Sequence, residues 1–125
     1  MATFSKVSLS GSTDGRGIKV AATATAGTLL HTGSATATTY DEIWIDVYNS
    51  HSAAVDLTLE WGGVTDPDDL IRQTIPLAAG GSYIGTVPVV EGKVLKGNAT
   101  PLVVRAFASS ANKIIAFGYV NRIAA

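Results

Sequence analysis

Few side chains in this sequence belong to the types that carry out catalysis or hold metals. It has two histidines, His31 and His51, and no cysteine. His31 falls in a threonine-rich strand and His51 in a polar turn. A catalytic or metal-binding histidine needs partners that converge on it, and the sequence contains none of the short catalytic or nucleotide-binding signatures. Each histidine is therefore predicted to be a strand-surface or loop residue, without a catalytic or cofactor-binding role.

Three aspartates, Asp66, Asp68 and Asp69, cluster in one turn. Calcium favours several carboxylate oxygens from a single loop, but the glycine and the distal glutamate of an EF-hand loop are missing. A turn with solvated or helix-capping carboxylates explains the cluster more simply. No metal site is predicted.

Residues 10–17 are predicted to form a loop, and its glycine-rich part, residues 13–17, is similar to loops that cradle phosphate. The P-loop pattern and its following helix are absent. The glycines at 11, 15 and 17 more simply allow positive φ in a flexible arm, which could become ordered on contact with a neighbouring chain. We therefore expect an N-terminal strand and glycine-rich arm, residues 1–17, and a β-sandwich, residues 18–125, within one domain overall.

Composition narrows the possible partners. The formal net charge is −1, and the nine basic residues are not collected in any stretch, so neither a nucleic-acid nor a membrane partner is expected. Residues 1–6 lack the apolar core of a signal peptide, which predicts residence in a cytoplasm. Charged residues make up 15% of the chain, against about 25% in an average domain. Either the surface consists mostly of Thr, Ser and Ala, or part of it is buried against other chains.

Short apolar or alternating runs, broken by Gly, Pro, Asn and Ser, predict an all-β fold. We expect an antiparallel β-sandwich of eight to ten short strands, with a jelly-roll or related Greek-key topology. Residues 42–49 and 54–61 are predicted to form a β-hairpin, and residues 101–108 and 113–123 a closing pair whose last strand lies centrally. The other predicted strands are residues 3–9, 18–23, 28–32, 72–77, 82–87 and 89–95.

Two aromatic residues in the clearest strand point away from its apolar side. Ile43, Ile45 and Val47 share one side, whereas Trp44 and Tyr48 fall on the other. Exposed Trp and Tyr are typical interface anchors. Burial of both sides of the strand, or stacking on a sugar ring, would also explain them.

Several stretches together carry a resemblance to a known group of proteins. They are MATFSKVSLSGSTDGRGIKV (1–20), AGTLLHT (26–32), DEIWI (41–45), LEWGG (59–63), PDDL (67–70), LVVRAFA (102–108) and GYVNRI (118–123). In this pattern the chain resembles small virion structural proteins of tailed bacteriophages, in particular capsid decoration (cement) proteins. The resemblance covers most of the chain, and the stretch 80–94 matches least well.

The resemblance implies a non-enzymatic β-sandwich that bridges neighbouring capsomers and stabilises the phage head. It implies the major capsid protein as partner, self-association as a homotrimer, no cofactor, and a place on the capsid surface after synthesis in the host cytoplasm. The residues expected to make contacts are Phe4, Lys6, Asp14 and Arg16 in the N-terminal arm and Trp44 and Tyr48 on the strand. Alternatives are a carbohydrate- or receptor-binding sandwich of a phage tail, and a head–tail connector or tail component.

Overall fold

Runs rich in β-branched and aromatic residues form strands along the whole chain. A computed structural model describes residues 2–124, so Met1 and Ala125, the outermost residues of the two predicted segments, lie outside the described residues. No helix among residues 2–124 is long and apolar enough to cross a membrane. The described elements are β1 Thr3–Ser8, β2 Ile18–Lys19, β3 Thr28–Thr32, β4 Thr39–Asn49, β5 Val55–Trp61, β6 Leu70–Ile75, a short 3-10 turn Ala79–Gly81, β7 Thr86–Lys96, β8 Val103–Ala108 and β9 Ile114–Ala124.

The strands form two antiparallel sheets that pack against each other. The order in the first sheet is β1-β9-β4-β7, with β2 beside β9 on the same side as β1. The order in the second sheet is β3-β8-β5-β6. The pairings are nested along the chain: β1 and β2 pair with β9, β3 with β8, β4 with β7, and β5 with β6. This nested pairing is that of a jelly roll, and the predicted all-β sandwich is confirmed.

Strict alternation along the strands places one side of each sheet in the core. In β4 the odd-numbered residues are buried, including Ile43, Ile45 and Val47, and the even-numbered residues face away from the second sheet. Each fully buried Val, Leu or Ile side chain contributes about 1.5–3 kcal/mol to folding. The second sheet supplies the opposing layer, with Val55, Leu57, Leu59, Ile75 and Val104 all at 1% exposure or less.

The predicted hairpin and the predicted closing pair are both wrong. Strands β4 and β5 follow one another along the chain, but β4 lies in the first sheet and β5 in the second, and β8 and β9 are divided in the same way. Each of these strands buries one apolar side. A turn that crosses between the sheets brings the two apolar sides face to face, so the core is filled by consecutive strands from opposite layers. Strand β9 is central, as predicted, because it lies between β4 and the β1–β2 edge.

A further strand prediction needs correction. Residues 82–87 and 89–95 were expected as separate strands, yet β7 runs through Pro88 without a break. Pro88 is tolerated because β7 is an edge strand that pairs only with β4. In β5, Thr58 and Glu60 alternate with the core residues Leu57 and Leu59 and are nevertheless buried. The loop before β3 covers Glu60, whose carboxylate accepts hydrogen bonds from the Thr25 hydroxyl and from the Gly27 amide.

The N-terminal segment lies against the sandwich. Strand β1 pairs with β9 from Thr3↔Ala124 to Ser8↔Tyr119, and the Gly11 amide donates to the Leu30 carbonyl at 2.9 Å. In this way residues 3–11 complete the edge of the first sheet and contact β3 of the second.

The glycines of the loop before β2 have two different roles. Within this loop only Asp14 and Gly15 have positive φ, so the predicted positive φ is wrong for Gly11 and Gly17. These two stand where other parts of the chain pass too closely for a side chain. A Cβ at Gly11 would lie 2.5 Å from the Leu29 carbonyl oxygen, and one at Gly17 would lie 2.4 Å from Cγ2 of Ile115.

Candidate functional site

The outer side of the first sheet collects most of the large apolar side chains that the core does not use. Of the three Phe, two Trp and four Tyr in the chain, all except Trp61 and Phe107 lie on this side or on the loop beside it. The register places them in rows across the four strands. We call this surface the aromatic face, and its members are Phe4, Lys6, Tyr40, Glu42, Trp44, Asp46, Tyr48, Pro88, Glu91, Val94, Ile115, Phe117, Tyr119, Asn121 and Ile123.

Much of this apolar surface is exposed. Phe4 is 73% exposed and Val94 51%, and Tyr40, Phe117 and Tyr119 are each exposed by more than a third. Tyr83 and Ile84, on the loop before β7, extend the exposed area, and the Tyr83 ring lies 5.8 Å from the ring of Tyr48. At about 200 Å² for each large side chain, the exposed fractions of these seven residues amount to roughly 700 Å². That slightly exceeds the largest apolar patch of a typical monomer, which is about 300–600 Å².

A row of stacked groups crosses the aromatic face from β1 to β7. The Lys6 ammonium lies over the Tyr119 ring, 4.6 Å from its centroid. The rings of Tyr119 and Trp44 have centroids 6.2 Å apart and planes 12° apart, which fits offset stacking.

On the other side of Trp44, the row ends at Gly92 of β7. A Cβ at Gly92 would meet three neighbouring atoms of the indole at 3.0 to 3.4 Å, so Gly92 lies above the ring rather than beyond its rim. Because β9 and β7 flank β4 on opposite sides, Tyr119 and Gly92 contact Trp44 from opposite sides.

Hydrogen bonds fix the polar end of this row. The Trp44 indole N–H donates to Oε1 of Glu42 at 2.8 Å, and the Asn121 amide donates to the same oxygen at 3.0 Å. Both bonds favour the ionised carboxylate and lower the pKa of Glu42 below its usual value. The indole is therefore held in one orientation on the face.

A depression of about 260 Å³ lies beside the row, between β4 and β7. Trp44, Tyr119 and Pro88 form its apolar walls, and Asp46 and Glu91 stand at its rim. Within residues 2–124 neither carboxylate takes part in a salt bridge. The depression thus combines an apolar wall with two negative charges that no basic side chain of residues 2–124 neutralises.

The structure divides the predicted contact residues into two groups. Phe4, Lys6, Trp44 and Tyr48 all lie on the aromatic face, although they come from strands far apart in sequence. Asp14 and Arg16 lie in the exposed loop that joins β1 to β2, at the edge of the same sheet.

Sequence reasoning missed Phe117 and Tyr119. In β9 small residues, Ala116 and Gly118, alternate with these aromatics. The small residues face the core and the aromatics face outward. The alternation of small and large residues along this strand is the signal for an exposed aromatic side.

A second polar cluster lies inside the sandwich, where His31 is buried and not on the surface as predicted. Its Nδ1 accepts a hydrogen bond from the Ser10 amide at 3.0 Å, and its Nε2 lies 2.8 Å from Oδ2 of Asp41. An Nδ1 that accepts is unprotonated, so the neutral ring carries its proton on Nε2 and donates it to Asp41. Arg122 donates to both oxygens of the same carboxylate, at 2.7 and 2.8 Å.

The surroundings shift the pKa of each group in this cluster. Burial lowers the pKa of His31, and this outweighs the raising effect of Asp41. Burial alone would raise the pKa of Asp41, but the hydrogen bonds from Arg122 and His31 prevail and lower it. The cluster therefore consists of a neutral histidine, an aspartate anion and an arginine cation.

This cluster lacks the geometry of an acyl-transfer site. Ser10 meets His31 through its backbone amide, while its hydroxyl oxygen accepts a hydrogen bond from the Thr32 amide at 2.6 Å. A nucleophilic serine needs its hydroxyl against the imidazole. What the cluster does is connect β3 of the second sheet with β4 and β9 of the first.

In the acidic turn, two of the carboxylates interact with the backbone of the turn and with a neighbouring arginine. Oδ2 of Asp69 accepts a hydrogen bond from the Thr65 amide at 3.1 Å, and Asp66 pairs with Arg72 at 3.0 Å. Within residues 2–124 no three His, Asp or Glu side chains are grouped in a way that could hold a metal ion.

Comparison of the chain with protein-family models, curated proteins and solved structures finds no match.

Proposed function

We propose that this protein is a non-enzymatic structural component of a tailed-phage particle, a decoration protein that binds the outer surface of the head and bridges capsomers. The observation that carries the proposal is the aromatic face, whose exposed apolar surface is large for a chain that stays alone in water. The resemblance in sequence is the basis for three parts of the proposal: the location in the virion, the major capsid protein as partner, and the homotrimer. A jelly roll with an unpartnered apolar side fits a building block held in place by neighbours.

The arrangement of the rings favours a protein partner over a sugar. A sugar ring stacks on a bare aromatic face, and Trp44 is contacted by Tyr119 on one side and by Gly92 on the other, which leaves less of its faces free for stacking. The Lys6 ammonium lies on the Tyr119 ring. The carbohydrate- or receptor-binding alternative on a phage tail therefore has less support, and no contact within residues 2–124 favours a head–tail connector.

Co-sedimentation with capsid shells of the same phage tests the proposal. The exposed Phe4 and Val94 contribute little to folding, so the double variant F4S/V94S keeps its thermal stability while its binding to shells weakens by about tenfold or more. The matched control is V64S, which removes an exposed apolar side chain after β5 and leaves shell binding unchanged.

Two results contradict the proposal. One is a wild-type chain that stays in the supernatant with both compact and expanded shells. The other is equal binding by wild type and F4S/V94S, which removes the aromatic face as the docking surface. Sugar binding on a glycan array that is lost in Trp44→Ala supports the carbohydrate alternative instead.

A further inference from the structure

Arg16 differs from the other arginines of the chain. Arg72 pairs with Asp66, Arg105 donates to the Gly27 carbonyl, and Arg122 binds Asp41. Within residues 2–124 the Arg16 guanidinium has no hydrogen bond or salt bridge, and the residue is exposed in the loop between β1 and β2. The positive φ of Asp14 and Gly15 shapes the turn that presents it.

The depression between β4 and β7 has the complementary chemistry. Asp46 and Glu91 offer carboxylates at its rim, and Pro88 and Trp44 offer an apolar wall. A guanidinium on an aliphatic stem suits both parts, since the stem packs on apolar surface while the head pairs with carboxylates. The free arginine and the free acidic rim thus match in charge and in shape.

The Arg16 loop and the depression lie at the same level along the strands but towards opposite edges of the first sheet. Ile18 and Lys19 pair with Ala116 and Ile115, and Asp46 pairs with the adjacent Phe117. Strand β2 lies at one edge and β7 at the other, three inter-strand steps apart, which is about 14 Å. The exposed Arg16 loop joins β1 to β2 at one edge of the sheet, whereas the depression lies between β4 and β7, towards the other edge. A second copy placed edge to edge brings one copy's Arg16 to the other's depression.

We propose that copies of this chain associate head to tail, with Arg16 of one copy seated in the Asp46–Glu91 depression of the next. Such a contact joins two different surfaces, so it closes into a ring when the rotation allows. The inference rests on the self-association part of the proposed function and does not require shell binding.

Charge exchange between the two surfaces tests the contact. By light scattering on a sizing column, the wild-type chain forms an oligomer, and R16E and D46R each weaken its association by about tenfold or more. The double variant R16E/D46R exchanges the two charges and recovers association to within about threefold of wild type. The matched controls carry the same changes on the second sheet, R72E and D56R, and keep the wild-type oligomer.

Three results overturn the inference. The first is a monomeric wild-type chain, and the second is an R16E variant that associates as well as R72E. The third is a double variant R16E/D46R that is folded by circular dichroism but does not recover association. Shell co-sedimentation of the same variants separates this inference from the proposed function. If the oligomers respond to the charge exchange but do not bind shells, the contact between copies is supported and the decoration role is contradicted. If the chain is monomeric but binds shells, the decoration role is supported and the contact between copies is contradicted.

Discussion

At the scale of single residues, the buried imidazole of His31 is held by a hydrogen bond at each of its two ring nitrogens. Protonation at Nδ1 would place an N–H against the Ser10 amide, which already points its own hydrogen at that atom. The protonated ring therefore has to give up the bond to Ser10, and burial disfavours its charge as well. The neutral state of His31 and the position of residues 9–11 depend on each other.

Acidification should consequently weaken the fold in the range where unfolded histidine titrates. Folded His31 binds its proton less tightly than unfolded histidine, whose pKa is 6.5, so the unfolded state takes up more protons as the pH falls. The stability contributed by neutral His31 is complete above that value. It is lost as the pH falls through 6.5 towards the lower folded pKa, by up to about 1.4 kcal/mol per pH unit. Urea unfolding between about pH 8 and about pH 5 measures the slope.

The His31→Gln variant is less stable overall but loses this slope, whereas His51→Gln keeps it because His31 is still present. A slope that survives in His31→Gln shows that another group causes it. Below the usual carboxyl range a second loss is expected, since the lowered pKa of Asp41 stabilises the fold only while this carboxylate stays ionised.

Asp41 and Asp66 make a contrasting pair of ion-pair residues. The Asp41 side chain is fully buried and its partner Arg122 is 32% exposed, so Asp41→Asn leaves a partly buried cation without its anion. We expect a loss of about 3 kcal/mol in the free energy of unfolding. Asp66 and Arg72 are more than half exposed, and Asp66→Asn changes stability by less than about 0.5 kcal/mol. Equal losses of stability for Asp41→Asn and Asp66→Asn in urea unfolding would contradict the assignment of Asp41 as a buried ion-pair residue that stabilises the fold.

At the scale of elements, the irregular edge strand β7 shapes the aromatic face. The register between β4 and β7 shifts twice, between Ile43 and Trp44 and between Ile45 and Asp46. Such bulges bend an edge strand and protect it from pairing with other chains. Here they also bring Gly92 against the indole of Trp44, where a Cβ would press on the ring at 3.0 to 3.4 Å.

Gly92→Ala tests this contact. Gly92 has φ of +72°, and a Cβ there would lie 3.0 Å from the indole, which would have to shift by a few tenths of an ångström. Gly85 has φ of +79° and open space around it, so Gly85→Ala reports the backbone cost alone, about 1–2 kcal/mol. Gly92→Ala should cost about 1 kcal/mol more and shift the tryptophan fluorescence. Equal costs and unchanged fluorescence in the two variants argue against the stacked row.

At the scale of the whole molecule, the two outer sides of the sandwich differ. The second sheet covers its own outer side in part with the loop before β3, which buries Glu60. The first sheet leaves its outer side open and apolar, and the predicted contacts with shells and with neighbouring copies both fall on it or on its edge. A particle in which both contacts form would use the two halves of this side for different neighbours.

Much of the fold could be predicted because alternation is a local signal. The strand positions of β4, β5 and β9 follow from residues two apart, and the edge position of β6 follows from Pro76 next to its end. Strand partners are not local. A crossing turn and a hairpin turn contain the same polar residues, so the sequence of residues 50–54 could not tell whether β4 and β5 share a sheet.

The candidate site was only half predictable for the same reason. Trp44 and Tyr48 stand out because their own strand has an apolar opposite side. Phe4, Phe117 and Tyr119 join them only through the pairing of β1 and β4 with β9. His31 was placed on the surface because its burial depends on Asp41 and Arg122, which belong to the other sheet.

The sequence by itself determined that this is a low-charge β-sandwich with an aromatic strand and an exposed glycine-rich loop, since period-two alternation, composition and turn residues act over a few neighbours. Only the tertiary structure decided which strands pair, the buried histidine cluster and the joining of distant aromatics into one face. These depend on contacts between residues far apart in the sequence, such as Thr3 with Ala124, which are 121 positions apart. The free energy of such contacts comes from the packing of whole sheets, which no local pattern encodes.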